Sequence, residues 1–153
     1  RITEDKNQFP VQNPEKSGKL LYNSAYFLLG GEIRQVFRKT LLPTYDIFDE
    51  YRYFEPNRDF SLLKFKGTKL AITICEDLWD EQPFESEFSR SRLYNTSPLE
   101  ELVKFKPDGI INLAASPYSH RKMDVKQSIF TGKAARYSIP LIYCNQSGAQ
   151  TEL

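Results

Sequence analysis

Residues 69–80 read KLAITICEDLWD, an almost uninterrupted apolar run that stops at Cys75 and passes directly into acidic and aromatic residues. A run of this length and β-branched content predicts a strand buried on both faces. Its end is where a rigid sheet can hold a reactive side chain in place. Upstream, FSLLKFK (60–66) is separated from it by Gly67-Thr68, which predicts a hairpin. Downstream, GIINLAA (109–115) is a second buried-type strand, ending at Ser116-Pro117, and PLIYCN (140–145) is a third.

Between these strands the period changes. Ser97 precedes Pro98, Glu100 and Glu101 in SPLEELVKFK, a helix start with its cap and first-turn proline, and Pro107 and Gly109 close it. In RKMDVKQSIFTGKAARY (121–137), Val125, Ile129, Ala134 and Tyr137 fall at loosely helical spacing. Further upstream, Gly30-Gly31 separates two β-type runs, predicting strands near 23–29 and 32–38. The order ββ-ββ-α-β-α-β predicts an α/β layered protein.

Two segments read as irregular. Residues 1–19 are polar, with two prolines, and predict an exposed arm. Residues 40–59 (TLLPTYDIFDEYRYFEPNRD) are rich in aromatic and acidic side chains without a clean period, and predict a loop that lines something. The aromatic cluster Tyr45, Phe48, Tyr51, Tyr53 and Phe54 is read as loop packing.

The 153 residues suit one compact core, and 21 Lys plus Arg against 20 Asp plus Glu give a net charge of +1. Nothing in that balance draws the chain to nucleic acid or to an anionic membrane. No apolar run is long enough for a membrane span and no charged-then-apolar stretch resembles a secretory signal, so a cytoplasmic protein is expected. One histidine and two distant cysteines do not supply the ligand set of a metal site, so metal-free chemistry is expected. Both cysteines are read as free, with Cys144 inert inside a buried-type strand.

A cysteine attacks an amide as thiolate, which requires a neighbouring cation and a proton acceptor. Lys39, at the end of the second strand, is the natural cation, and an ammonium there also suits the oxyanion of a tetrahedral intermediate. The single histidine, His120, falls in the polar loop SPYSHRK and is read as a solvated residue. Glu50 is open to two readings, a catalytic carboxylate or a structural partner of Arg52 or Arg58. Glu76 and Asp77 flank the thiol, where a carboxylate raises a thiol's pKa, and are read as structural.

Four ordered segments, RKTLLPTYDIFDEYRYF (38–54), ICEDLW (74–79), NLAASP (112–117) and PLIYCNQSGAQTEL (140–153), resemble the nitrilase (carbon-nitrogen hydrolase) superfamily, and within it the glutaminase domains of glutamine-dependent NAD+ synthetases. The resemblance covers about residues 20–153 and implies a four-layer α-β-β-α sandwich, here an incomplete portion within a single domain spanning 1–153. It implies hydrolysis of L-glutamine through a cysteine thioester, with ammonia passed to a synthetase domain of the same polypeptide that uses ATP and Mg2+. No cofactor is implied for this portion. By the same resemblance Cys75 is the nucleophile, Lys39 the triad lysine and Glu50 a second glutamate beside the triad. Tyr45, Ser116 and Lys122 fall near positions that shape the glutamine pocket.

The family's general-base glutamate precedes the lysine and is expected outside this chain, and Ala149 stands where the family usually has glycine. A homo-oligomer is expected. A stand-alone nitrilase-type amidase or carbamoylase, and a catalytically incomplete scaffold fragment, are the alternative expectations.

Overall fold

A computed structural model describes residues 21–45, 48–81, 94–117 and 122–148. The predicted arm at 1–19, His120, Ala149 and the C-terminal end lie outside the described residues. Strands β1 (Ser24–Leu29) and β2 (Glu32–Arg38) form an antiparallel ribbon turned by Gly30 and Gly31, both at positive φ. Strands β3 (Leu63–Phe65), β4 (Thr68–Ile74), β5 (Gly109–Ala114) and β6 (Leu141–Asn145) form the second sheet in sequence order. β3 pairs antiparallel with β4, while β4–β5 and β5–β6 are parallel.

Helices α2 (Pro98–Val103) and α3 (Lys122–Tyr137) make the two parallel crossovers. As the sequence predicts, Ser97 caps α2, its Oγ accepting from the Glu100 amide at 3.4 Å. Both helices pack on one face of the larger sheet, where Ala71, Leu78, Trp79, Leu99, Leu102, Ile110 and Phe130 form the core. Alternation turns Ile72 to the other face, where it lines a cavity with Val36 and Phe37 of β2. Phe27 meets Phe65 edge-on at 5.3 Å between the sheets. The described residues thus build three layers, with helices, a four-stranded sheet and a two-stranded ribbon.

Four sequence expectations are corrected. The 40–59 segment is not wholly irregular, since α1 (Glu50–Tyr53) forms one helical turn within it. Tyr51 and Tyr53 in that cluster are more than half exposed, outside the core. Cys144 is exposed, because β6 is an edge strand and alternate residues of it face outward. Val125 is exposed too: the inward stripe of α3 runs through Lys126, Phe130 and Lys133 instead. Two lysines occupy core-facing positions, which a hydrophobicity pattern alone assigns to solvent.

Candidate active site

Cys75 is the first residue after β4 and opens a 3-10 turn, Cys75–Leu78. Its φ of 44° lies in the left-handed region that β-carbon-bearing residues avoid at a cost of about 1–3 kcal/mol. This elbow is held from three sides. The Asp77 carboxylate accepts the Ile74 amide at 3.0 Å, and from β2's far end the Thr40 and Leu41 amides at 2.9 Å each. The Asn112 side chain donates to the Cys75 carbonyl at 3.3 Å and to Thr73 Oγ1 at 2.9 Å.

Asp77 therefore joins the end of the ribbon that carries Lys39 to the turn that carries Cys75. Burial pushes its pKa up to about 6, against the three amides and Lys39, which favour the charged form. The reading of Asp77 as structural agrees with this geometry, which fixes where two candidate reacting groups sit.

Lys39 is buried, with 2% of its surface exposed, and its Nζ lies 2.6 Å from Glu50 Oε1. The other Glu50 oxygen accepts from Asn23 Nδ2 at 3.2 Å. The pairing of Glu50 with Arg52 or Arg58 is not formed, since Arg52 pairs with Asp49 and Arg58 with Glu55, and Glu50 pairs with Lys39 instead. α1 makes this possible, because its first residue is Glu50 and the Glu50 amide is tied back to the Pro43 carbonyl at 3.0 Å.

The thiol of Cys75 faces this cluster. Burial raises its pKa; Lys39 pulls it down, Glu76 and Glu50 push it up, and a hydrogen bond from the Ala115 backbone amide pulls it down. The net direction is upward. Among the described residues the carboxylates facing the thiol are already engaged, Glu50 by Lys39 and Glu76 by two tyrosines. Glu76 accepts from Tyr45 Oη at 2.7 Å and Tyr94 Oη at 3.0 Å, and its own pKa is raised chiefly by burial.

The structure thus gathers Cys75, Lys39, Glu50 and, through Glu76, Tyr45 at one end of the sheets. Ser116 follows β5, one residue beyond the amide that touches the thiol. Lys122 opens α3, and its side chain lies outside the described residues. Two groups, Lys126 and Asn145, were not singled out by sequence, and Glu76 was named there only as structural. Glu76 sits in the cluster rather than merely flanking it. Lys126 Nζ donates to Ser116 Oγ at 3.2 Å and Tyr143 Oη at 3.0 Å, and Asn145 Oδ1 accepts from the Ser116 amide at 2.9 Å. The position of Lys126 in the stripe with Phe130 was the available signal.

Among the described residues no group of three or more His, Cys, Asp or Glu is arranged to hold a metal ion, and no helix is long and apolar enough to cross a membrane.

No protein-family model matches the chain. Among curated proteins it is 40% identical over 145 residues to the glutamine-dependent NAD(+) synthetase of Synechocystis, covering 94% of this chain and 25% of that protein. It is 39% identical over 132 residues to the enzyme of the same name from Thermotoga maritima, covering 86% of this chain and 21% of that one. The chain therefore spans a quarter or less of these relatives' length. Among solved structures it superposes on glutamine-dependent NAD+ synthetase from Acinetobacter baumannii, in complex with ADP, with TM-score 0.72 and 29% identity over 86% of this chain and 22% of that one. It shares the fold of a carbon-nitrogen hydrolase from Helicobacter pylori, with TM-score 0.65 and 24% identity over 84% of this chain and 42% of that one.

Proposed function

From the premise that this chain is a partial nitrilase-like domain homologous to glutamine-dependent NAD+ synthetases, we propose that it supplies the nucleophile and cation of a glutaminase site that releases ammonia for NAD+ synthesis. The observation that carries this reading is Cys75, held in a left-handed elbow at a strand end and facing the buried Lys39–Glu50 pair.

In the proposed reaction the Cys75 thiolate adds to the side-chain carboxamide carbon of L-glutamine. The oxyanion that forms accepts a hydrogen bond from the Lys39 ammonium, a contact of the kind that lowers such barriers by about 3–4 kcal/mol. The C–N bond breaks, the departing nitrogen takes a proton to leave as ammonia, and a γ-glutamyl thioester remains. Water then cleaves the thioester, glutamate departs, and the thiol is restored.

Glu50 keeps Lys39 oriented through its short ion pair. The proton carrier is a further glutamate, since the described carboxylates near the thiol are already engaged, Glu50 by Lys39 and Glu76 by two tyrosines. Tyr45, Ser116 and Lys122 are assigned to the glutamine pocket. The ammonia passes to a synthetase domain of the same polypeptide, where ATP and Mg2+ drive amidation of nicotinic acid adenine dinucleotide.

The test is mass spectrometry of the full enzyme after exposure to a glutamine analogue carrying an electrophile. Label on Cys75, with loss of glutamine-dependent but not ammonia-dependent turnover in Cys75→Ala, is the expected result. Label elsewhere, or a Cys75→Ala variant that still hydrolyses glutamine, refutes the assignment.

A further inference from the structure

The inward stripe of α3 carries two buried lysines with opposite surroundings. Lys133 has its counter-charges, with Nζ 2.7 Å from Asp80 Oδ1 and 3.7 Å from Glu81 Oε2. Lys126, 7% exposed, has no ion-pair partner among the described residues, and its hydrogen bonds run to two neutral hydroxyls. A buried cation is costly without an anion; among the described residues Lys126 meets two hydroxyls and the Tyr143 ring, 5.0 Å from Nζ, but no carboxylate, so it favours negative charge brought close to Ser116.

The direction of each hydrogen bond around Lys126 is fixed by valence. An ammonium only donates, so Ser116 Oγ and Tyr143 Oη both accept from it. The Tyr143 hydroxyl then donates to Asn145 Oδ1 at 2.9 Å, and the same oxygen accepts the Ser116 amide. Asn145 Nδ2 returns a bond to the Ser116 carbonyl at 3.3 Å. Every polar group of Ser116 is thereby assigned except its hydroxyl hydrogen, which must point away from Lys126.

We propose that Lys126 is a positioning residue for substrate selection. By occupying the acceptor side of Ser116 Oγ it makes that hydroxyl a donor toward the pocket, and its charge favours an anionic acceptor there. The ligand class selected is an amide that also bears a carboxylate, as a free amino-acid amide does, over a neutral amide. This rests on the glutaminase assignment of the site and adds a determinant of its specificity.

The experiment uses the full enzyme, its Lys126→Met, Lys126→Arg and Ser116→Ala variants and the Ser116→Ala/Lys126→Met pair. Cys75 labelling is timed with two probes, a carboxylate-bearing electrophilic glutamine analogue and neutral iodoacetamide. Lys126→Met is expected to slow the analogue tenfold or more while leaving iodoacetamide within about twofold. The glutamine defect should appear in KM more than in kcat, and ammonia-driven turnover should stay intact. Lys126→Arg should recover most of the loss, and Lys126→Met should add little in the Ser116→Ala background. Equal slowing of both probes, an unaffected analogue, or full additivity with Ser116→Ala overturns the proposal. If the parent's Cys75 is never labelled by the analogue, the glutaminase assignment falls and this determinant with it; a labelled parent with an unaffected Lys126→Met sinks this determinant alone.

Discussion

Replacing Lys133 by Met isolates the energetic weight of the buried ion pair behind the nucleophile elbow. The side chains of Lys133 and Asp80 are 2% and 4% exposed and meet at 2.7 Å. Met preserves most of the lysine stem, so the change removes charge with little loss of volume. Asp80 is then left desolvated without its principal cation, and breaking a buried pair in this way costs about 3–5 kcal/mol. The remaining Arg136 of the same helix pairs with Glu81 rather than Asp80, so it does not replace what is lost. Removing both charges, in Lys133→Met/Asp80→Leu, leaves neither group orphaned and should return most of the stability.

The chain's single tryptophan makes the assay direct. Trp79 adjoins Asp80 and packs edge-on against Phe130 of α3 at 5.8 Å, so its fluorescence reports this junction. With a urea dependence of about 2 kcal/mol per molar, the middle of the usual range, the unfolding midpoint of Lys133→Met should fall by roughly 1.5–2.5 M. A fall below about 0.5 M, or a double variant as weak as the single one, would show that the pair is solvated in solution and refute the reasoning.

Asp77→Ala should cost about 3 kcal/mol or more, because it orphans buried amides of Thr40, Leu41 and Ile74, and should abolish glutamine turnover; chemical denaturation and a glutaminase assay check both. Burial holds Asp77 at about 6 when folded against 3.8 ordinarily, so its protonation contributes stability in full below 3.8 and loses it as pH rises through 6. Parent stability measured relative to Asp77→Asn should therefore decline across that window by about 3 kcal/mol, and a rise would reverse the sign. Glu76→Gln should speed alkylation of Cys75 at fixed pH and Lys39→Met should slow it, since one carboxylate raises and the lysine lowers the thiol's pKa; iodoacetamide kinetics decide. Glu50→Gln removes the partner of a buried lysine and should destabilise by about 2–4 kcal/mol with loss of glutamine hydrolysis, read by calorimetry and turnover.

Strand positions were legible from local pattern, because the glycine pair at 30–31 and the apolar runs around 72 and 111 encode turn and burial directly. The Lys39–Glu50 pair was only half legible. The sequence offered Glu50 two closer arginines as partners, and the geometry of α1's single turn decides against them. On α3 Ile129 and Tyr137 pack against the core as expected, while Val125 was misread and Lys126 and Lys133 missed, because those inward ammonium groups are satisfied from other elements and no pattern of apolar residues records that. The partners of Glu76 were not legible either: beside a cysteine it looks electrostatically unfavourable, and two tyrosines 31 and 18 residues away make it tolerable.

Asp77's grip on both sheets has a bearing on how this protein tolerates change. Lys39 and Cys75 belong to different sheets, so their spacing is not set by any one strand but by how the two layers are aligned. Mutations that let one layer slide by a fraction of an ångström would leave each sheet's own ladder intact and melting behaviour nearly normal. They would alter the electrostatic environment of one sulfur atom. The chemical reactivity of Cys75 is thus a gauge of interlayer alignment, more sensitive to distant substitutions in β2 or β4 than any measure of global folding.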